Sequence, residues 1–175
     1  MIIVQVENLE EVAARISHIP GAAQKALKTA GRKTLKAAKK DAIEKVKARY
    51  TSPTNLFTKS LKIRTTSTGG KLISRGAKNA LDKFQNAPSG RITAKGVYIR
   101  STVVRGQGGI LPTGFRKSSG AAIFERVGQS RFPIKKLYSV AAPSMINVAQ
   151  VREPVLQKIE QKFPQEFVSA VENFL

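Results

Sequence analysis

Residues 20–50, PGAAQKALKTAGRKTLKAAKKDAIEKVKARY, constrain the fold more than any other part of the chain. At about 100° per residue, Leu27, Gly31, Leu35, Ala38, Ala42 and Val46 fall on one stripe. Lys25, Lys28, Arg32, Lys36, Lys39, Lys40 and Lys47 spread over the opposite side. The spacing predicts a helix of about thirty residues, roughly 45 Å long. Its stripe is rich in Ala and Gly, so a sheet or another helix can approach its backbone closely. Pro20-Gly21 separates it from what precedes, and Pro20 suits a first helical turn. The cationic side reads either as a solvated lysine face or as a contact surface. Seven cations against Asp41 and Glu44 repel one another, a cost that solubility alone does not require. Those two acids, one turn apart, are expected to pair with nearby lysines.

Charge is the outlier of the whole chain. Its 175 residues carry 31 Lys and Arg against 11 Asp and Glu, a net +20, and the pI is near 10.7. A chain of this balance is drawn to nucleic acid, acidic proteins or anionic surfaces. No acid lies between Lys83 and Ile123, where Arg91, Lys95, Arg100, Arg105, Arg116 and Lys117 stand. At 41% hydrophobic residues, a single domain over 1–175 is expected. It divides into an N-terminal strand and helices (1–50), a sheet region with basic loops (51–140) and C-terminal helices (141–175). Cysteine is absent, which excludes disulfides and thiol chemistry. The start, MIIVQVENLEEV, has no signal-peptide pattern, and no apolar run reaches the roughly 20 residues of a membrane span. The expectation is a soluble protein made in the cytosol, with no membrane partner.

Along the rest of the chain, IIVQV predicts a short first strand and NLEEVAARISHI a helix capped by Asn8. TSPTN ends the long helix. SLKIRTTS alternates Leu61, Ile63 and Thr65 against Lys62, Arg64 and Thr66, a half-buried strand; TGG reads as its turn and KLISR as its hairpin partner. GAKNALDKFQNAPSGR reads as a loop with a helical turn around Leu81 and Phe84. KGVYIRSTVV and GAAIFERV are further strands, with the loop RGQGGILPTGFRKSSG between them. The expectation is an α+β fold, the long helix lying across one antiparallel sheet built from about 60–75, 96–104 and 120–138. At the end, Val155, Ile159, Phe163, Phe167, Ala170 and Phe174 recur at spacings of three and four. Pro164 predicts a kink there or two consecutive helices.

Reaction chemistry is sparse. His18, the single histidine, has no partner acid or nucleophile nearby in sequence, and no G-x-S-x-G elbow is present. GQGG and TGG lack the Walker lysine and the Rossmann spacing. No motif holds a metal or a cofactor, and a catalytic role is not expected. Three Tyr and eight Phe, several at core spacing, do not make an RNA-stacking platform.

GAAIFERVGQSRFPIKKLYSVAAPSM, residues 120–145, reads as strand, turn and strand, followed by a helix that Pro143 opens. Pro133 keeps the returning segment extended and off a sheet interior, and Ile134 and Leu137 point inward. With Gly120, Phe124, Arg126, Gly128, Arg131, Pro133, Ile134, Leu137, Pro143, Ser144 and Met145, this stretch resembles the phage minor tail protein Z family, the tail completion proteins of long-tailed bacteriophages. Gly76, Leu81 and Phe84 in LISRGAKNALDKF, and GFRKSSG, resemble further parts of it. YSVAAPSM departs from the family in lacking a Gly before Pro-Ser.

The resemblance implies a structural virion protein, present at the head-proximal end of the tail and in the host cytoplasm during assembly. Its partners would be other tail and connector proteins, and it would form a homo-oligomeric ring of six copies around the DNA channel. Phe124, Arg126, Arg131, Pro133, Ile134, Pro143 and Ser144 would then be fold-determining and subunit-contact residues. Six copies turning all seven helix cations inward would present roughly forty charges to the duplex. At about 0.9 in salt slope per neutralised phosphate, DNA would be held too tightly to slide. Lys25, Lys28, Arg32 and Lys36 are therefore the expected contact with double-stranded DNA or an acidic partner, with Arg105, Arg116 and Lys117 as the second set. The alternative is a stand-alone basic protein that binds nucleic acid without sequence preference.

Overall fold

The computed structural model describes residues 2–3, 21–53, 55–66, 69–88, 98–117 and 121–173. The helix expected over 8–19, His18, Arg91, Lys95, Gly120 and Phe174 lie outside them. Of the first strand, Ile2–Ile3 (β1) is described.

The long helix is Ala22–Arg49 (α1), and every residue of its predicted stripe is buried. Its burial extends further round, to Ala22, Ala26, Ala30, Thr34 and Asp41. Two partners account for this width. On one flank lies the hairpin of Leu61–Thr66 (β2) and Gly69–Ser74 (β3), paired from Leu61↔Ser74 to Thr66↔Gly69. Gly70 makes that approach possible: a Cβ there would stand 2.5 Å from Leu35 Cδ1. On the other flank lies the C-terminal helix Ala149–Glu172 (α4), which buries Val151, Val155, Ile159, Phe163, Phe167, Ala170 and Val171.

α1 and α4 run antiparallel, as the interhelix ion pairs Lys33–Glu166 (3.5 Å) and Asp41–Lys158 (2.9 Å) require. Where the pair extends past the strands it has its own small core. Ala22, Ala26, Leu27 and Ala30 there meet Phe163 and Phe167, whose rings stack 6.1 Å apart. Alanines every fourth residue leave room for the two rings. The main core gathers Leu35, Val46, Phe57, Leu61, Leu72, Leu81, Ile99, Ile123, Met145 and Val155.

The chain thus has the α+β architecture its sequence predicts, with several differences of detail. The strands do not form one sheet across the helix; the described ones divide into four small antiparallel sheets. β1 and β2 flank β3 in the first. Gln85–Ala87 (β5), Ile99–Val104 (β6) and Gln107–Leu111 (β7) form the second. Phe115–Arg116 (β8), Ile123–Arg126 (β9) and Ile134–Lys136 (β10) form the third, and Tyr138–Ala141 (β11) pairs with Lys78–Ala80 (β4). The segment expected to be a loop, 105–120, therefore contains β7 and β8. The two-residue connection Arg105-Gly106 closes the β6–β7 hairpin, with Gly106 at φ 77°, a conformation glycine adopts without steric cost. Likewise Gly69 and Gly70 belong to β3 and not to a turn.

The short helix Asn55–Ser60 (α2) has no counterpart in the sequence reading. Lys39 Nζ donates to its end, to Leu61 O at 2.7 Å and Thr58 O at 3.5 Å, satisfying carbonyls that a helix terminus leaves free. A 3-10 turn at Leu81–Lys83 matches the turn expected around Leu81 and Phe84. Pro143 opens Ala142–Ile146 (α3) as predicted. The break between the C-terminal helices falls at Asn147-Val148, whereas α4 runs continuously through Pro154 and Pro164. Pro164 is exposed; the carbonyl it deprives of a donor, that of Glu160, lies on the hydrated side, where water can replace the bond.

Candidate functional site

The four cations singled out on α1 are all exposed: Lys25, Lys28, Arg32 and Lys36. Helical spacing places them on the side away from α4. Among the described residues no carboxylate lies within 4.0 Å of them. Their neighbours are employed differently. Lys33 reaches Glu166, Lys40 reaches Glu44 at 4.0 Å, and Lys39 is turned to α2. Asp41 pairs with Lys158 from α4, not with a lysine of its own helix.

The second predicted set does not gather into one patch. Arg105 closes the α1 terminus: its backbone N–H donates to Arg49 O at 2.8 Å and its Nε to Lys47 O at 3.0 Å. It also lines an open cleft of about 460 Å³ with Lys45, Arg49 and Gln150. Arg116 is half-buried and donates from Nη1 to Ala121 O at 2.6 Å. Lys117 is exposed, with Nζ 4.9 Å from the centroid of Phe124.

The β8–β9–β10 sheet assembles the motif residues. Phe115 and Phe124 are register partners, their rings 6.3 Å apart and tilted by 33°. Lys117 stands over Phe124 and Arg126 over Phe115, the latter at 5.9 Å. Such cation–ring contacts hold cations on an aromatic surface while leaving them charged. Ile134 pairs with Arg126, and Lys135 bridges Glu125 at 2.6 Å. Val127 N–H donates to Pro133 O at 3.1 Å, closing a tip in which residues 127–133 are all exposed. Val127 and Phe132 are 60% and 64% exposed, and Arg131 lies 5.8 Å from the Phe132 ring centroid. The tip is thus apolar and cationic together.

Pro143 and Ser144 are elsewhere. They line a cavity of about 330 Å³ with Leu61, Leu72, Asn147 and Arg152, beneath the β2–β3 hairpin and away from the β9–β10 tip.

One cationic surface escaped the sequence reading. The outward side chains of the β2–β3 hairpin, Lys62 and Arg64, enclose with Lys59 and Arg75 a cavity of about 200 Å³. The signal was present in the alternation of SLKIRTTS, which identified the strand but not the use of its polar face. Among the described residues no group of three or more His, Asp or Glu side chains could hold a metal ion, and no helix is long and apolar enough to cross a membrane. Comparison with family models, curated proteins and solved structures finds no match for this chain.

Proposed function

We propose that this chain is a structural virion protein that completes the head-proximal end of a phage tail and helps join it to the connector, as a ring of six copies around the DNA channel. The observation that carries the reading is the exposed tip between β9 and β10. Val127 and Phe132, flanked by Arg126 and Arg131, put apolar area and guanidinium groups on a surface that the chain's own core does not use. Aromatic and arginine side chains so combined are the residues that dominate protein–protein contacts. The same stretch carries the resemblance to the tail completion family. In this reading the tip meets a neighbouring subunit or tail protein, the α1 row meets acidic neighbours, and no residue acts catalytically.

The test is removal of the gene from the element that encodes the chain. Heads and tails should then accumulate unjoined, and the chain supplied in trans should restore joined particles in which cryo-electron microscopy places it at the head-proximal end. Joined, infectious particles made without the chain would refute the reading. The exposed row Lys25, Lys28, Arg32 and Lys36, without a carboxylate partner among the described residues, favours the second reading, a stand-alone nucleic-acid-binding protein. On that reading the chain would be absent from purified particles and would co-purify with cellular nucleic acid in a nuclease-sensitive manner.

A further inference from the structure

We infer that the outward face of the β2–β3 hairpin binds the phosphodiester backbone of a nucleic acid. The hairpin has two unlike faces. Leu61, Ile63 and Leu72 turn towards the core. Directly opposed residues of an antiparallel pair share a face, so the couples Lys62↔Ile73 and Arg64↔Lys71 both lie on the other side. Arg75 N–H donates to Ser60 O at 3.1 Å, which carries the ladder one step further and brings Arg75 beside Lys59. The result is a track of five cations: Lys59, Lys62 and Arg64 along one line, Arg75 and Lys71 along the next.

Several observations bear on the occupant. No carboxylate lies within 4.0 Å of any of the five among the described residues, and the sequence contains no Asp or Glu between Glu44 and Asp82. Among the described residues, therefore, the five charges have no carboxylate partner, and the face suits an external anion. The surface is concave, with Ile73 in the floor of the cavity of about 200 Å³ and cations around it, whereas the α1 row stands on a convex helix.

Cations two residues apart on a strand are separated by about 6.7 Å, the same order as successive phosphates along a nucleic-acid strand. A uniform, permanently charged polymer suits such a repeat. An acidic protein segment would call for several apolar sockets between the charges, and among the described residues lining the cavity Ile73 is the one large apolar side chain. Arg64 and Arg75 can each present a planar fork to phosphate oxygens. The described residues of this face include no aromatic on which a base could stack, so the contact is to backbone and blind to sequence. Lys39, anchored on Leu61 O, joins this face to the α1 row around the β2 edge.

The contact goes beyond the virion reading and does not depend on it. The experiment uses the purified full-length chain. Binding to a fluorescent DNA duplex is measured against salt for wild type, for Lys62→Gln/Arg64→Gln/Arg75→Gln, and for Lys25→Gln/Lys28→Gln/Arg32→Gln, which removes the same charge from α1. The hairpin variant should lose at least about tenfold in affinity at low salt, and its slope of log K against log salt should become shallower by about 2 to 3. The α1 variant should change the slope by less than about 1. Equal losses in the two variants would overturn the assignment, because net charge would then govern binding.

A second measurement needs no variant. Lysine acetylation of the wild-type chain, with and without duplex, should show Lys59, Lys62 and Lys71 protected more than Lys25, Lys28 and Lys36. Protection confined to the α1 lysines would refute the hairpin site. Protection by inorganic phosphate but not by duplex would assign the pocket to a free anion and overturn the backbone contact. Equal protection by poly-glutamate at matched charge would overturn it in favour of an acidic protein. Failure of these measurements leaves the particle-joining test intact, and the converse holds.

Discussion

Asp41 sits where α1 meets α4, its side chain 12% exposed, with Oδ1 2.9 Å from Lys158 Nζ. Among the described residues its Oδ2 is buried without a hydrogen-bond partner, and Lys158 is what compensates the charge. Removing the lysine should cost more than the ion pair itself contributes, because it leaves a desolvated carboxylate alone. Lys158→Ala is expected to destabilise by about 1–3 kcal/mol, at the lower side of buried pairs because the lysine is half-exposed. Asp41→Leu, which removes the charge and keeps volume, should be close to neutral. Urea denaturation of both variants and of the double variant measures the coupling; equal cost for the two single variants would show that Asp41 is effectively hydrated. The stripe around it was legible in sequence because a 3.6-residue period is local. The partner of Asp41 was not, since Lys158 stands 117 positions away and nothing local distinguishes it from the other lysines.

Among elements, those with a strong internal period were readable and those defined by pairing were not. α1, β2, β6 and β9 each announce themselves by apolar spacing. β7 is Gln-Gly-Gly-Ile-Leu, a segment whose glycines argue against a strand. It forms because β6 supplies a ladder for it from Ile99↔Leu111 to Val104↔Gln107. Which strands share a sheet depends on such contacts, and for that reason four small sheets replaced the single expected one. The cationic face of β2 was readable as solvent-facing, but its concavity comes from α2 and Arg75, which a strand pattern does not contain.

α4 errs in the opposite direction: Pro164 signals a break that packing overrides. Phe163 and Phe167, on either side of it, are held against α1, while the proline ring faces water. If tertiary packing enforces the helix there, its local cost is still present. Pro164→Ala should then raise stability by about 1–3 kcal/mol, offset in part by the freer unfolded chain. A lower or unchanged urea midpoint would mean that the proline is accommodated without strain.

At the scale of the molecule, charge and assembly oppose each other. A chain of 19.0 kDa with a net +20 carries described cations on several surfaces, among them the α1 row, the β2–β3 hairpin and the β9–β10 tip. A ring of copies brings such surfaces together, and the repulsion reaches as far as the solvent lets it. The screening length is about 30 Å at 0.01 M salt and about 8 Å at 0.15 M. At the lower ionic strength each subunit therefore feels the whole of its neighbour, and at the higher one only the charges that line the contact. The exposed Val127 and Phe132 provide an apolar contribution that salt does not weaken. Self-association should thus be suppressed at low salt and released either by screening or by a polyanion that neutralises the hairpin and the α1 row. Multi-angle light scattering of the purified chain in 0.01 M salt is expected to give a mass near 19 kDa. Raising the salt to 0.15 M, or adding an acidic partner in charge-matched amount, should shift the mass upward. Phe132→Ser should remove most of that shift while leaving the low-salt mass unchanged. A stable hexamer at low salt without any partner would show that the subunit contact outweighs the repulsion by itself, and that neutralising partners are not what drives assembly.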